Sequence, residues 1–209
     1  YCAENTNERE TRPMVAYDQY HSTLEKRFLG TTIAEGQSST MADLKLALDT
    51  LFNHPNVGPF IGRQLIQRLV TSNPSPAYVR RVASAFNNNG QGVRGDMKAV
   101  IRAVLLDEEA RGAHARKQPD FGRIREPVLR FTHLMRALEA SSRSGYWTMG
   151  PTNAPSELNQ TAMRAPSVFN FYRPGYSPAG TPVARAGLVA PEMQILNESS
   201  VAGYADYLN

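Results

Sequence analysis

From about residue 40 onward the apolar positions of this chain recur at helical spacing, and alternation at period two is almost absent. Leu44, Ala47, Leu48, Leu51 and Phe52 share one face of a first predicted helix. A capping-box-like Thr40 and Asp43 open it, and His54-Pro55 closes it. Pro55 then suits the first turn of a second helix, in which Val57, Phe60, Ile61, Leu65 and Leu69 form the stripe. Ser75 and Pro76 read as the N-cap and first position of a third, with Val79, Val82, Ala83 and Phe86 inward. Asp96 caps a fourth, carrying Met97, Val100, Ile101, Val104 and Leu105. Pro127 opens a fifth, with Val128, Phe131, Leu134, Met135 and Leu138 expected to be buried. The last stretch, from Pro191 to Leu208, reads as a sixth helix with Ile195, Val201, Tyr204 and Leu208 inside.

What separates these stripes is equally informative. Residues 1–39 hold Pro13, Gly30, Gly36 and a Ser-Ser-Thr run, and are expected to be an irregular N-terminal segment. Residues 87–95 are Asn- and Gly-rich, suited to left-handed backbone. Residues 141 to about 190 form a long Gly, Pro and Ser-rich connection. A loop of that length is usually ordered by packing or by function. The fold class expected is therefore all-α: a bundle of about six helices in one domain over residues 40–209, with a long irregular connection near the C-terminus. No fixed-period repeat is evident.

Composition alters this picture little. The 41% hydrophobic and 20% charged content is that of an ordinary globular chain. No apolar run approaches the roughly 20 residues a membrane-spanning helix needs. No signal peptide opens the chain, and the missing initiator methionine reads as a processed or truncated piece. Cys2 is the one cysteine, so an internal disulfide and a cysteine-based zinc cluster are excluded; pairing outside this stretch and a free thiol both stay open. The net charge is +4, and the basic excess concentrates between Arg111 and Arg136. That run could be a nucleic-acid footprint or a solvated face; without a recognised nucleic-acid module beside it, nucleic acid is not the partner expected.

Candidate chemistry is sparse. Asp18 and His21 lie three residues apart, with Glu25 and Lys26 close by, so they could share a divalent cation, act as an acid–base pair or form a local hydrogen-bonding cap. His54 sits at a helix junction, where its ring could cap the preceding carbonyls. Glu192 completes a weak catalytic candidate set with Asp18, His21 and His54, the set a glycan or ester hydrolase would need. Those residues lack the HExxH-type helical spacing that fixes a metal's geometry, so no metal and no cofactor is expected. Ser167 lacks the Gly-x-Ser-x-Gly elbow of a serine nucleophile.

The densest segment is RAPSVFNFYRPGY at 164–176, continuing to GLVAPE at 187–192. It packs four aromatics, two arginines and two prolines into thirteen residues without a helical or strand period. Arg164, Phe169, Phe171, Tyr172, Arg173 and Tyr176, with Trp147, are the ligand-binding candidates. Aromatic faces and guanidinium forks suit stacking and anion clamping. The competing reading is a clamp, the phenylalanines filling a groove between helices while Arg173 pairs with a carboxylate such as Glu192.

Together with HPNVGPFIGRQLIQRLVTSNPSP at 54–76 and RGDMKAVIRAVLLDEEAR at 94–111, this segment resembles a widespread bacterial family catalogued only as a domain of unknown function, number eighteen hundred. The resemblance covers nearly all of residues 17–209 and implies the C-terminal portion of a longer, exported protein, periplasmic or extracellular. Genes of that family often neighbour one for a secreted, sulfatase-like protein. The family supplies no agreed catalytic residues. The expectation is thus an exported helical module of unknown biochemical activity, binding a partner protein or a polysaccharide through its aromatic and arginine-rich loop. A secreted hydrolase is the alternative.

Overall fold

The computed structural model of the chain describes residues 13–36, 39–147, 149–168 and 170–208. Cys2 and Phe169 lie outside the described residues. The chain divides into two compact units, residues 1–57 and 58–209.

The first unit is not wholly irregular before residue 40. A 3-10 turn over Asp18–Tyr20 precedes strands β1 (Lys26–Phe28) and β2 (Thr31–Ile33), paired antiparallel with Lys26 opposite Ile33 and Phe28 opposite Thr31. The two-residue connection, Leu29 and Gly30, has φ of 46° and 80°. Both central residues of a tight hairpin need that left-handed backbone, which glycine accepts freely and leucine does not. Three-residue strands are too short to register as alternation, so the all-α expectation misses this small sheet. Helix α1 (Thr40–Asn53) follows. Its N-cap is Ser39, whose side chain accepts from the Ala42 N–H, rather than Thr40. Leu44, Leu48, Leu51 and Phe52, expected inward, are exposed; the one buried residue of α1 is Asp43.

Among the described residues of the second unit, the regular elements are all helical, separated by a long irregular connection between residues 137 and 182. Helices α2 (Val57–Leu69), α3 (Pro76–Asn87), α4 (Met97–Leu106), α5 (Glu108–Arg111), α6 (Pro127–Ala137), α7 (Pro182–Arg185) and α8 (Glu198–Tyr207) follow in order, with 3-10 turns at Ala115–Lys117 and Pro191–Gln194. The predicted caps hold where local chemistry decides them. Ser75 accepts from the Tyr78 N–H with Pro76 behind it, Asp96 accepts from Lys98 and Ala99, and Pro127 opens α6. Between α3 and α4, the side-chain oxygens of Asn88 and Asn89 close a loop whose Gly90, Gly92 and Gly95 all have positive φ.

The core runs through Ile66, Tyr78, Val82, Phe86, Val100 and Val104, joined by Leu158, Tyr172 and Ile195. Helices α3 and α4 pack together. The Tyr78 hydroxyl donates to the Val104 carbonyl, and Arg81 grips both carboxylate oxygens of Asp107 at 2.7 Å. Such a bidentate fork fixes geometry as well as charge.

Several predicted faces are rotated. On α2 the buried residues are Gly58, Gly62, Ile66 and Gln67, while Phe60 and Leu69 are exposed. A Cβ on Gly62 would stand 3.0 Å from Val82 Cγ1, so the glycines let α2 and α3 approach closely. On α6 only Pro127 is fully buried, with Leu138 exposed; His133 is exposed too and meets Arg125. The expected sixth helix breaks after the 3-10 turn at Gln194 and restarts behind a capping box of Asn197 and Ser200. Its buried residues are Ser200 and Gly203, with Val201 and Leu208 exposed.

Candidate functional site

The long connection of residues 141–190 is held down by polar side chains. Gln160 donates to Glu126 and accepts from the Val128 N–H at 3.1 Å, so it closes the N-terminus of α6 from both sides. Tyr172 donates its hydroxyl to the other Glu126 oxygen at 2.6 Å. The Arg68 guanidinium lies 4.1 Å from the centre of the Tyr172 ring and 3.8 Å from Glu126. A cation over an aromatic face beside a carboxylate is held by both. Gln67 donates to the carbonyls of Ser72 and Pro174 at 2.9 and 3.0 Å, tying α2 to the same loop.

Next to this knot lies Glu192, only 1% exposed. Its Oε1 faces Arg123 at 3.8 Å, and Oε2 accepts no hydrogen bond from the described residues. Burial therefore raises its pKa above the ordinary 4.5, against the opposing pull of Arg123 and Arg68. Burial, reinforced by the bond to Glu126, likewise raises the Tyr172 phenol. The space bounded by Gln67, Arg68, Tyr172, Pro174 and Glu192 is too tight to admit a water molecule. Tyr172 and Glu192 are thus built into the interior.

The other binding candidates lie nearer the surface. Arg164 and Arg173 are exposed, Phe171 and Tyr176 half-buried. The Arg173 N–H donates to the Gln194 side chain at 2.8 Å, and the Tyr176 carbonyl accepts from Ala190 at 2.9 Å. Met163 and Val168, flanking Arg164 in sequence, are almost fully exposed. Trp147 is 54% exposed and lines a groove of about 280 Å³ with Phe131, Thr132, Met135, Arg136 and Met149. The basic run of residues 111–136 is partly spent inside: Arg123 faces Glu192, and Arg130 stacks at 4.6 Å on Tyr204.

Asp18, His21 and His54 belong to the first unit and Glu192 to the second. Asp18 accepts from the hydroxyl of Thr40 at 2.5 Å and its N–H at 3.0 Å, which hold its pKa below the ordinary value. His21 Nε2 and Lys26 Nζ meet the buried Asp43 at 3.0 and 2.8 Å. His54 Nδ1 accepts from the Asn56 N–H at 3.2 Å, so its ring serves the turn that follows α1. Among the described residues, no cluster of three or more His, Cys, Asp or Glu is placed to hold a metal ion. None of the described helices is long and apolar enough to cross a membrane.

Glu126, Arg68, Arg123 and Asp43 escape a sequence reading because their partners lie far along the chain. Met135 and Met149 are the other omissions, since a methionine looks like ordinary core until its groove is seen.

The architecture is that of a helix-rich module whose loop is clamped by buried ion pairs. The chain belongs to the family described as "Protein of unknown function (DUF1800)", whose model matches residues 3–209. No curated protein and no solved structure matches it.

Proposed function

We propose that this chain is a non-enzymatic docking module that takes a polypeptide segment of a partner protein into the groove beside Trp147. The supporting observation is that groove: an exposed indole, a phenylalanine and two methionines around an opening with Arg136 at its edge. Methionine side chains adapt to varied apolar shapes, and a half-exposed tryptophan offers large contact area at low entropic cost. A saccharide would need several hydroxyl partners, and among the described residues of the lining Thr132, Arg136 and the Trp147 indole N–H supply the polar groups. Exposed Arg136 at the rim favours an acidic residue beside the apolar anchor, which steers association and makes it salt-sensitive. In this reading the partner is itself exported, the compartment that the family resemblance implies. Sealed Glu192 lends no support to a hydrolytic role.

Trp147 is the only tryptophan, so its fluorescence reports on the groove alone. Peptides carrying Leu or Phe flanked by Asp and Glu are expected to blue-shift its emission, with affinity falling as salt rises. Replacing Arg136 by Glu should weaken them about tenfold, the loss of one charge-assisted contact. Emission that stays unchanged across such a peptide series would remove the proposal.

A further inference from the structure

A second concavity, of about 480 Å³, opens elsewhere on the helical unit, and its chemistry is opposite to that of the Trp147 groove. It falls within the range of roughly 300–1,000 Å³ typical of small-molecule sites. One wall is the turn between α2 and α3, which the structure holds rigidly. Thr71 Oγ1 donates to the Gly122 carbonyl at 3.1 Å and accepts from the Gly122 N–H at 3.0 Å. The Asn73 amide makes both bonds to the backbone of Val189, at 3.0 and 2.9 Å. Ser75 donates to Glu109 at 2.6 Å, and Arg81 neutralises that carboxylate at 2.9 Å. The wall is therefore preformed, so a ligand would find it without reordering the chain.

The opposite wall carries His114, Gln118, Asp120 and Phe121. His114 Nε2 and Gln118 Nε2 lie 3.0 Å apart. An amide nitrogen does not accept, so the imidazole accepts there and carries its proton on Nδ1, leaving the amide oxygen as an acceptor. Turning the amide over exchanges those roles but still leaves a hydrogen-bonding amide group. Asp120 adds an exposed carboxylate, and the half-buried Phe121 ring, with Leu188, adds an apolar patch. Among the described residues the lining holds the carboxylates of Glu109 and Asp120 and no arginine or lysine, a balance that disfavours a phosphate or carboxylate ligand. A carboxylate and an amide that take adjacent hydroxyls, next to a ring that covers a face of C–H groups, match a neutral sugar.

We propose that the cleft between the α2–α3 turn and residues 114–121 binds a neutral saccharide, with Asp120 and Gln118 holding its hydroxyls and Phe121 lying against its C–H face. This goes beyond the docking reading and does not depend on it.

The test uses the whole chain in saturation-transfer NMR and titration calorimetry with maltose, cellobiose, lactose and N,N′-diacetylchitobiose, and putrescine as a cationic control. At least one disaccharide is expected to bind, with transfer strongest at its ring C–H protons. Asp120→Asn should weaken it about tenfold or more, because charge-assisted bonds to the hydroxyls are lost. Phe121→Leu, checked for an unchanged melting curve, should reduce transfer to the C–H face, while Trp147→Ala should leave binding intact. The proposal is overturned if no disaccharide binds at millimolar concentration, if Asp120→Asn binds as well as the native chain, or if putrescine binds in preference. Loss of binding in Trp147→Ala would overturn it too, by moving the sugar to the other groove.

Discussion

Glu192 is a carboxylate taken almost wholly out of water, with one arginine at 3.8 Å and one oxygen accepting no hydrogen bond from the described residues. Its pKa is raised in the folded chain, so over the interval above 4.5 the native state keeps a proton that the unfolded chain has released. Stability must then fall as pH rises through that interval, by about 1.4 kcal/mol for each pKa unit of displacement. Glu192→Gln mimics the protonated form and should remove this decline. Urea titrations at several pH values should show the variant gaining on the native chain as pH increases; parallel profiles would mean that Glu192 is already ionised in the fold. The sequence singled out Glu192 as a candidate acid and Tyr172 as a binding aromatic, not as buried partners in one knot. Their surroundings were not legible, since Glu126 lies 46 residues from Tyr172 and Arg123 pairs with Glu192 across a still longer gap. Nothing local in a sequence marks such pairs.

Three helix starts were legible because capping is decided within four residues: Ser75-Pro76, Asp96 and Pro127 each act as their chemistry requires, whereas α1 is capped by Ser39 instead of Thr40. Helix faces were not legible. In α2 and α8 the inward side is set by Gly58, Gly62, Ser200 and Gly203, small residues that permit close approach rather than contribute apolar area. A stripe of leucines reports hydrophobicity, and close approach leaves no such trace. Gly203 offers the sharpest check. Helix propensity alone predicts that Gly203→Ala stabilises α8 by about 1 kcal/mol. A Cβ there, however, would stand 2.4 Å from the Ser156 carbonyl carbon and 2.5 Å from the Pro155 oxygen, both backbone atoms that cannot swing aside. Overpacking of this kind costs ~1–3 kcal/mol or more, so the net effect should be destabilising. A rise in melting temperature for this variant would show that α8 does not lie against residues 155–156.

The two units differ in what holds each of them together. In residues 58–209 the buried apolar side chains extend from Ile66 to Ile195 and tie distant helices to the long connection. Among the described residues of the first unit, Ile33 is the only buried apolar side chain. Its interior is instead Asp43 with His21 and Lys26. A buried carboxylate held by the Lys26 ammonium and the His21 imidazole gives geometric definition but little net stability, since desolvation consumes much of the attraction. Short chains also bury a smaller share of their surface. A fragment starting at His54 retains the His54 carbonyl that accepts from the Val57 N–H at the start of α2. That fragment should give a helical spectrum and a cooperative urea transition, whereas residues 1–57 alone should give neither. Circular dichroism of the two fragments decides it. A cooperative transition in residues 1–57 would mean that the Asp43 cluster stabilises far more than its charges allow, and a non-cooperative larger fragment would mean that its apolar core is incomplete without the first unit.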